Sequence, residues 1–183
     1  MNINLRPARP ADAEEMARWF VDLTELAQWG GPEVRFPLTD DQLAAWIGEG
    51  AKARPRTCFT APDGTDKPIG HVQFLHDRAR LWVRIGRFGV APARRGAGFG
   101  AALFDEAVRI AFAEMEAETV ELGVLTTNDR ARRLYLRAGF RDESAAMGSW
   151  VVDGRAYAMS TMGLTRPEWL RLGRPTQGAA RVA

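Results

Sequence analysis

Three alternate glycines, Gly96, Gly98 and Gly100, follow Arg94 and Arg95 and lead into an apolar, helix-like run. The front end of a helix carries partial positive charge and favours acids. Here two arginines stand at that end, and no acidic residue appears before Asp105. A bound anion would reconcile the pattern. Glycines leave main-chain N–H groups uncovered by Cβ atoms. The helix behind them lends its dipole, and Arg94 or Arg95 could add charge-assisted hydrogen bonds. The chemistry this supports is capture of a diphosphate.

Two other readings stay open on these residues alone. One is a plain glycine-rich turn with solvated arginines. The other is a dinucleotide-binding unit, because Gly96-Ala97-Gly98-Phe99-Gly100-Ala101 satisfies G-x-G-x-x-A. Against that unit, residues 91–95 separate the preceding strand from the first glycine, and the downstream acid Glu121 falls inside a strand instead of at its end. A P-loop is excluded, since no Gly-Lys-Ser/Thr follows.

These residues need elements to hold them. Residues 3–9 alternate and read as a first strand. Pro10 and Asp12 open a helix carrying Met16, Phe20, Leu23 and Ala27 at helical spacing, ending at "WGGPEVRFP". Thr39 with Gln42 reads as a capping box for a second helix that stops near Gly48 or Gly50. "RTCFTAP" and "PIGHVQFLHD" flank "DGTDK" as an antiparallel hairpin, and "ARLWVRIGRFGV" is a third, longer strand of the same sheet. Leu103, Phe104, Ala107, Val108, Ala111, Phe112 and Met115 form one apolar stripe of an amphipathic helix. "TVELGVL" is the next strand, and the following helix starts near Thr127 or Asn128 and stops at Gly139. "SWVVDGRAYAMSTMGL" closes the fold as two strands about Asp153-Gly154. The expectation is one domain over residues 1–164 and a frayed tail over 165–183.

Composition narrows the classes. A chain of 183 residues can bury a real core as one domain. A formal charge of only +2 makes no case for a nucleic-acid or membrane partner. The single cysteine, Cys58, excludes an internal disulfide and any cysteine-built zinc site; on an alternating segment it reads as a packed small hydrophobe. "MNINLRPARP" lacks the apolar core of a signal peptide and no run approaches membrane-spanning length, so the expected compartment is the cytoplasm.

From residue 80 to 141 the chain resembles the GNAT superfamily of acetyl-CoA-dependent N-acetyltransferases. Val90-Ala91-Pro92 followed by Arg95-Gly96-Ala97-Gly98-Phe99-Gly100 matches the superfamily's strand end and glycine loop. Leu122-x-Val124, Asn128 and the run Ala131 to Phe140, with Leu134-Tyr135 and Gly139-Phe140, match its second block. The resemblance implies an α/β fold with a mixed, mostly antiparallel sheet of six to seven strands and helices on both faces. It implies acetyl-CoA as co-substrate without a metal, and transfer of the acetyl group to a primary amine by direct attack through a tetrahedral intermediate.

The resemblance also implies roles for residues. The main chain of Phe88, Gly89 and Val90 would pair with the pantetheine arm, with the Val90 N–H polarising the thioester carbonyl. Arg95, Gly96, Ala97, Gly98, Phe99, Gly100 and Ala101 would hold the pyrophosphate through their N–H groups. Asn128 would bond the pantetheine or cap the helix it opens. Tyr135 stands seven residues, about two turns, beyond Asn128, so both can face one groove. Its hydroxyl is protonated at neutral pH and could supply a proton to the departing thiolate. Arg130, Arg132 and Arg133 could reach the 3′-phosphate or form a solvated face.

The attacking amine must lose a proton, and the fourth strand, "LWVRIGRFGV", lacks a carboxylate to take it. Glu33, Asp77 and Glu121 are candidates, with water relay the default; His71 and His76 are not assigned to catalysis. The acceptor would enter beside "LAQWGGPEVRFPL", with Trp29, Phe36 and Trp150 as an apolar wall. The run "WGGPEVRFPLTDDQLAAWI" is similar to a branch that includes protein N-terminal and small-amine acetyltransferases. The expected acceptor is therefore a small amine or a protein N-terminus, on a monomer or homodimer. A non-catalytic acyl-CoA sensor and a dinucleotide-dependent oxidoreductase are the competing classes.

Overall fold

A computed structural model describes residues 1, 3–32, 34–48, 55–143, 148–152 and 154–173. Its strands are β1 (Arg6–Pro7), β2 (Arg56–Pro62), β3 (Pro68–Asp77), β4 (Trp82–Val90), β5 (Thr119–Leu125), β6 (Arg141–Asp142), β7 (Gly148–Val152) and β8 (Arg155–Thr165). They form one sheet in the order β1-β2-β3-β4-β5-β8-β6, with β7 also on β8. Among the described residues β4 and β5 make the one parallel pairing; the others are antiparallel. The mixed, mostly antiparallel α/β sheet is as expected, with the two-residue β6 as an extra strand.

Helices are α1 (Asp12–Ala17), α2 (Leu23–Gly30), α3 (Asp40–Gly48), α4 (Phe99–Arg109), α5 (Asp129–Arg137) and α6 (Arg166–Arg171). On one sheet face, Leu103, Phe104, Ala107, Val108, Ala111 and Phe112 of the predicted stripe pack with Val72, Phe74, Val83 and Ile85. On the other, Met16, Trp19, Leu26 and Trp29 form a second core with Val34, Leu38 and Leu43. Burial of these apolar faces against the sheet is what holds the layers together.

Three expectations change. The first helix is two helices, because the Asp22 carboxylate accepts the Glu25 N–H at 2.7 Å and starts α2 afresh. Met16, Phe20, Leu23 and Ala27 keep compatible spacing across the break, so periodicity could not reveal it. The stripe of α4 ends in a π-helical turn, Ile110–Glu114, where buried Arg109 pairs with Glu106 and Glu114. Residues 166–171 of the expected tail form α6. Thr165 and Glu168 make its capping box, and Trp169, 2 % exposed, stacks on Phe112 at 5.0 Å. Glu33 and Asp153 lie outside the described residues.

Candidate active site

The site begins where β4 and β5 part. Their parallel register runs from Trp82↔Thr119 to Ile85↔Leu122 and stops. On its other side β4 pairs with β3, but the register slips between His71↔Gly89 and Gln73↔Gly86, which inserts one extra residue into β4. Arg87, with φ 44°, absorbs the slip in a conformation that side chains seldom adopt. The Ala91 N–H bonds the Ile69 carbonyl at 3.0 Å. By the alternation of an antiparallel ladder, Val90 therefore turns its N–H and C=O away from β3, toward the opening. Gly89 lies against Trp29: a Cβ there would meet the indole Nε1 at 2.8 Å.

The glycine loop follows. Pro92–Arg94 make a 3-10 turn, Gly96 has φ 92°, and Gly98 has φ 81° as N-cap of α4. A Cβ on Gly96 or Gly98 would meet nothing within 4 Å, so the loop is open on its outer side. The N–H groups of Gly96, Ala97, Gly98, Phe99 and Gly100 have no protein acceptor among the described residues. Helix starts leave such donors unsatisfied. The two ends of the expected stretch differ: the Arg95 N–H bonds Pro92 O at 3.2 Å and the Ala101 N–H bonds Gly98 O at 3.0 Å. Phe99 contributes its main chain only, as its ring is buried.

Nor do the two arginines act as the sequence alone implied. The Arg95 guanidinium donates to Val90 O at 3.1 Å, to Trp19 O at 3.3 Å and to the Glu25 carboxylate. It ties α2 to β4, and Arg94 stays exposed at the rim. Arg95 still lines the cleft, joined by Arg130, Arg133 and Arg137 of α5, whereas Arg132 turns away to pair with Asp142 at 2.8 Å.

The cleft has a volume of about 810 Å³ and takes in Phe88, Gly89, Val90, the glycine loop, Asn128 and Tyr135. Asn128 caps α5, accepting the Ala131 N–H at 3.1 Å, and its amide donates to Gln28 at 3.2 Å. Tyr135 is buried, with its ring 4.8 Å from that of Phe104. Burial pushes its hydroxyl above the ordinary tyrosine range, so it is held protonated.

A second cavity of about 210 Å³ lies on the sheet face that carries Gln73, Arg84 and Gly86, and it shares Gln28, Trp29, Phe88 and Tyr135 with the first. Tyr135 thus stands where the two spaces meet. Trp29 and Trp150 wall the second cavity and Phe36 does not line it. Of the candidate bases, Asp77 closes the β3–β4 turn by accepting the N–H groups of Ala79 and Arg80, and Glu121 lies outside both linings. Burial, with Arg87 nearby, pulls His71 down to about 3, so its ring is neutral. Burial likewise pushes the Cys58 thiol up. Arg56, Arg84, Arg87 and Gln73, which line this cavity, were missed by sequence reading; they come from three strands and share no local pattern.

The pattern of the acetyltransferase (GNAT) family matches residues 16–140. Among solved structures, the fold is similar to that of a spermidine N-acetyltransferase from Vibrio cholerae in complex with CoA and spermine. That likeness has 20 % identity and a TM-score of 0.74, covering 92 % of this chain and 98 % of the other. A second similar structure is a probable acetyltransferase, at 21 % identity and a TM-score of 0.70, covering 92 % of this chain and 95 % of the other.

Proposed function

The chain belongs to the acetyltransferase (GNAT) family and moves an acetyl group from acetyl-CoA to an amine, and we propose that the cleft between β4, α4 and α5 binds the coenzyme. The observation that carries this reading is the run of five acceptor-free N–H groups at the mouth of α4, Gly96 through Gly100. These donors, with Arg130 and Arg133, suit the phosphates. Coenzyme A supplies the acetyl group as an activated thioester. The outward main chain of Phe88 and Val90 pairs with its arm, and Asn128 fixes the start of α5 beside it.

The Val90 N–H is aimed at the acetyl oxygen and stabilises the negative charge that develops there. Tyr135, kept protonated by burial, donates its proton to the departing sulfur. In this reading water takes the amine proton. A cavity of about 210 Å³ between Trp29 and Trp150 suits a small amine better than a protein terminus. Calorimetry with acetyl-CoA and thiol release with small amines and N-terminal peptides test the assignment. Binding plus turnover of small amines supports it. Binding without turnover on any acceptor would make the protein a coenzyme sensor, and absence of binding would remove the reading.

A further inference from the structure

The acceptor cavity carries a charge of one sign. Arg56 of β2, Arg84 of β4 and Arg87 of the β4 bulge all line it, and its described lining contains no carboxylate. Arg84 is partly buried and lies over Gly123, where a Cβ would come within 2.7 Å of its Nη2. Neither Arg84 nor Arg56 forms an ion pair or side-chain hydrogen bond among the described residues. Elsewhere in the chain arginines in similar settings are matched, as Arg109 is with Glu106 and Glu114. Arg87 is fixed differently: its Nη1 donates to Gln73 Oε1 at 2.7 Å, and the Gln73 amide in turn donates to Cys58. Gln73 is itself 2 % exposed, so this arm of the cavity is built and held.

Two acids of neighbouring strand segments do not neutralise the group. Glu121 is the cross-strand neighbour of Arg84, yet the two form no ion pair among the described residues. Glu121 lies beside Glu143, whose carboxyl is pushed up by burial and by that neighbour. Guanidinium groups gathered in a partly desolvated cavity repel one another unless an anion joins them. Their planar forks match a carboxylate or a phosphate.

We propose that the acceptor is an amine that also bears an acidic group, a carboxylate or a phosphate, held by Arg84 and Arg56 with Arg87 alongside. Its nitrogen then points to the junction at Tyr135 and Phe88. There the N–C bond forms to give the tetrahedral intermediate and one amine proton leaves to water; the C–S bond then breaks as the sulfur takes the proton of Tyr135, and water returns a proton to Tyr135. A polyamine would add positive charge to the same arginines and is disfavoured.

This inference rests on acetyl transfer at the same site, and its test separates the two. Thiol release is measured with paired acceptors: L-amino acids against their amides, O-phosphoethanolamine against ethanolamine, and spermidine. The expected result is kcat/KM at least about tenfold higher for the acidic member of a pair. Which pair shows it distinguishes carboxylate from phosphate. Arg84→Gln, and separately Arg56→Gln, should narrow that gap by about tenfold or more. Neither removes a protein partner among the described residues, so both should fold. Equal or faster turnover of the amides, ethanolamine or spermidine overturns the proposal, as does an unchanged gap in both variants. Acetyl-CoA binding with no turnover of any of these amines also overturns it. If calorimetry finds no acetyl-CoA binding, acetyl transfer and this inference fall together; binding with no preference for acidic amines removes this inference alone.

Discussion

The Nε of Arg95 lies 3.1 Å from the carbonyl oxygen of Val90. The same guanidinium pairs with Glu25, so one side chain couples α2 to the main chain that we propose faces the acetyl group. Arg95→Lys keeps the charge but loses the fork. This pair is partly exposed, so its contribution to stability is about 1 kcal/mol or less. We expect a thermal midpoint within a few degrees of the parent and a turnover reduced roughly tenfold through misplacement of Val90. A lowered midpoint with unchanged kcat would show that Arg95 is only a brace.

Gly98→Val tests the loop. The position has φ 81° and open space around its missing Cβ, so the cost to the fold is backbone strain of about 1–3 kcal/mol. The new side chain covers the neighbouring N–H groups. Calorimetry should give an acetyl-CoA affinity at least about tenfold weaker, with an unchanged far-ultraviolet spectrum. Unaltered affinity would place the phosphates elsewhere.

Tyr135→Phe removes the proposed proton donor while keeping the ring that packs on Phe104. Turnover should fall by roughly a hundredfold or more, the usual range for a general acid, with little change in coenzyme affinity. Because burial raises the hydroxyl of the parent, Tyr135 should not be what limits activity up to about pH 10, the ordinary tyrosine value. A single-turnover rate equal to the parent's would assign the acid to another group.

His71 gives a pH dependence of stability. Its folded value of about 3 lies below the ordinary 6.5, so the unfolded chain binds the proton first. The stability it contributes is fully present above about pH 6.5 and is lost as pH falls toward 3, on the order of 5 kcal/mol in all. Denaturant titrations of His71→Gln across this window should show a shallower acid loss than the parent. Parallel curves would mean that the ring escapes protonation by local opening.

Trp169→Ala asks whether α6 belongs to the core. Truncating a tryptophan that is 2 % exposed and stacked on Phe112 should cost about 3–5 kcal/mol. Chemical denaturation measures it, and a loss below about 1 kcal/mol would mark α6 as dispensable.

The cleft we propose for the coenzyme could be outlined from the sequence because its lining residues are contiguous. Glycines 96, 98 and 100 precede the α4 stripe, and Asn128 and Tyr135 share one short helix region. The second cavity could not, because Arg56, Arg84 and Gln73 meet only when three strands align. The Arg87 bulge had no signal, since a positive φ at arginine is a product of the slipped register. For α6 a signal existed and was outweighed. The segment read as part of a frayed tail, although proline is favoured in a first turn and Thr165 with Glu168 spelled a capping box. The split between α1 and α2 hung on Asp22, one polar residue within a continuing apolar rhythm.

The sheet divides the apolar interior in two. Leu103, Phe104 and their neighbours support the glycine loop, while Met16, Trp19 and Leu26 support the wall around Trp29. Ile69 touches both. Damage in one compartment should therefore sum with damage in the other without compounding it. A lineage could then exchange the wall, and with it the amine it accepts, and keep the coenzyme grip intact.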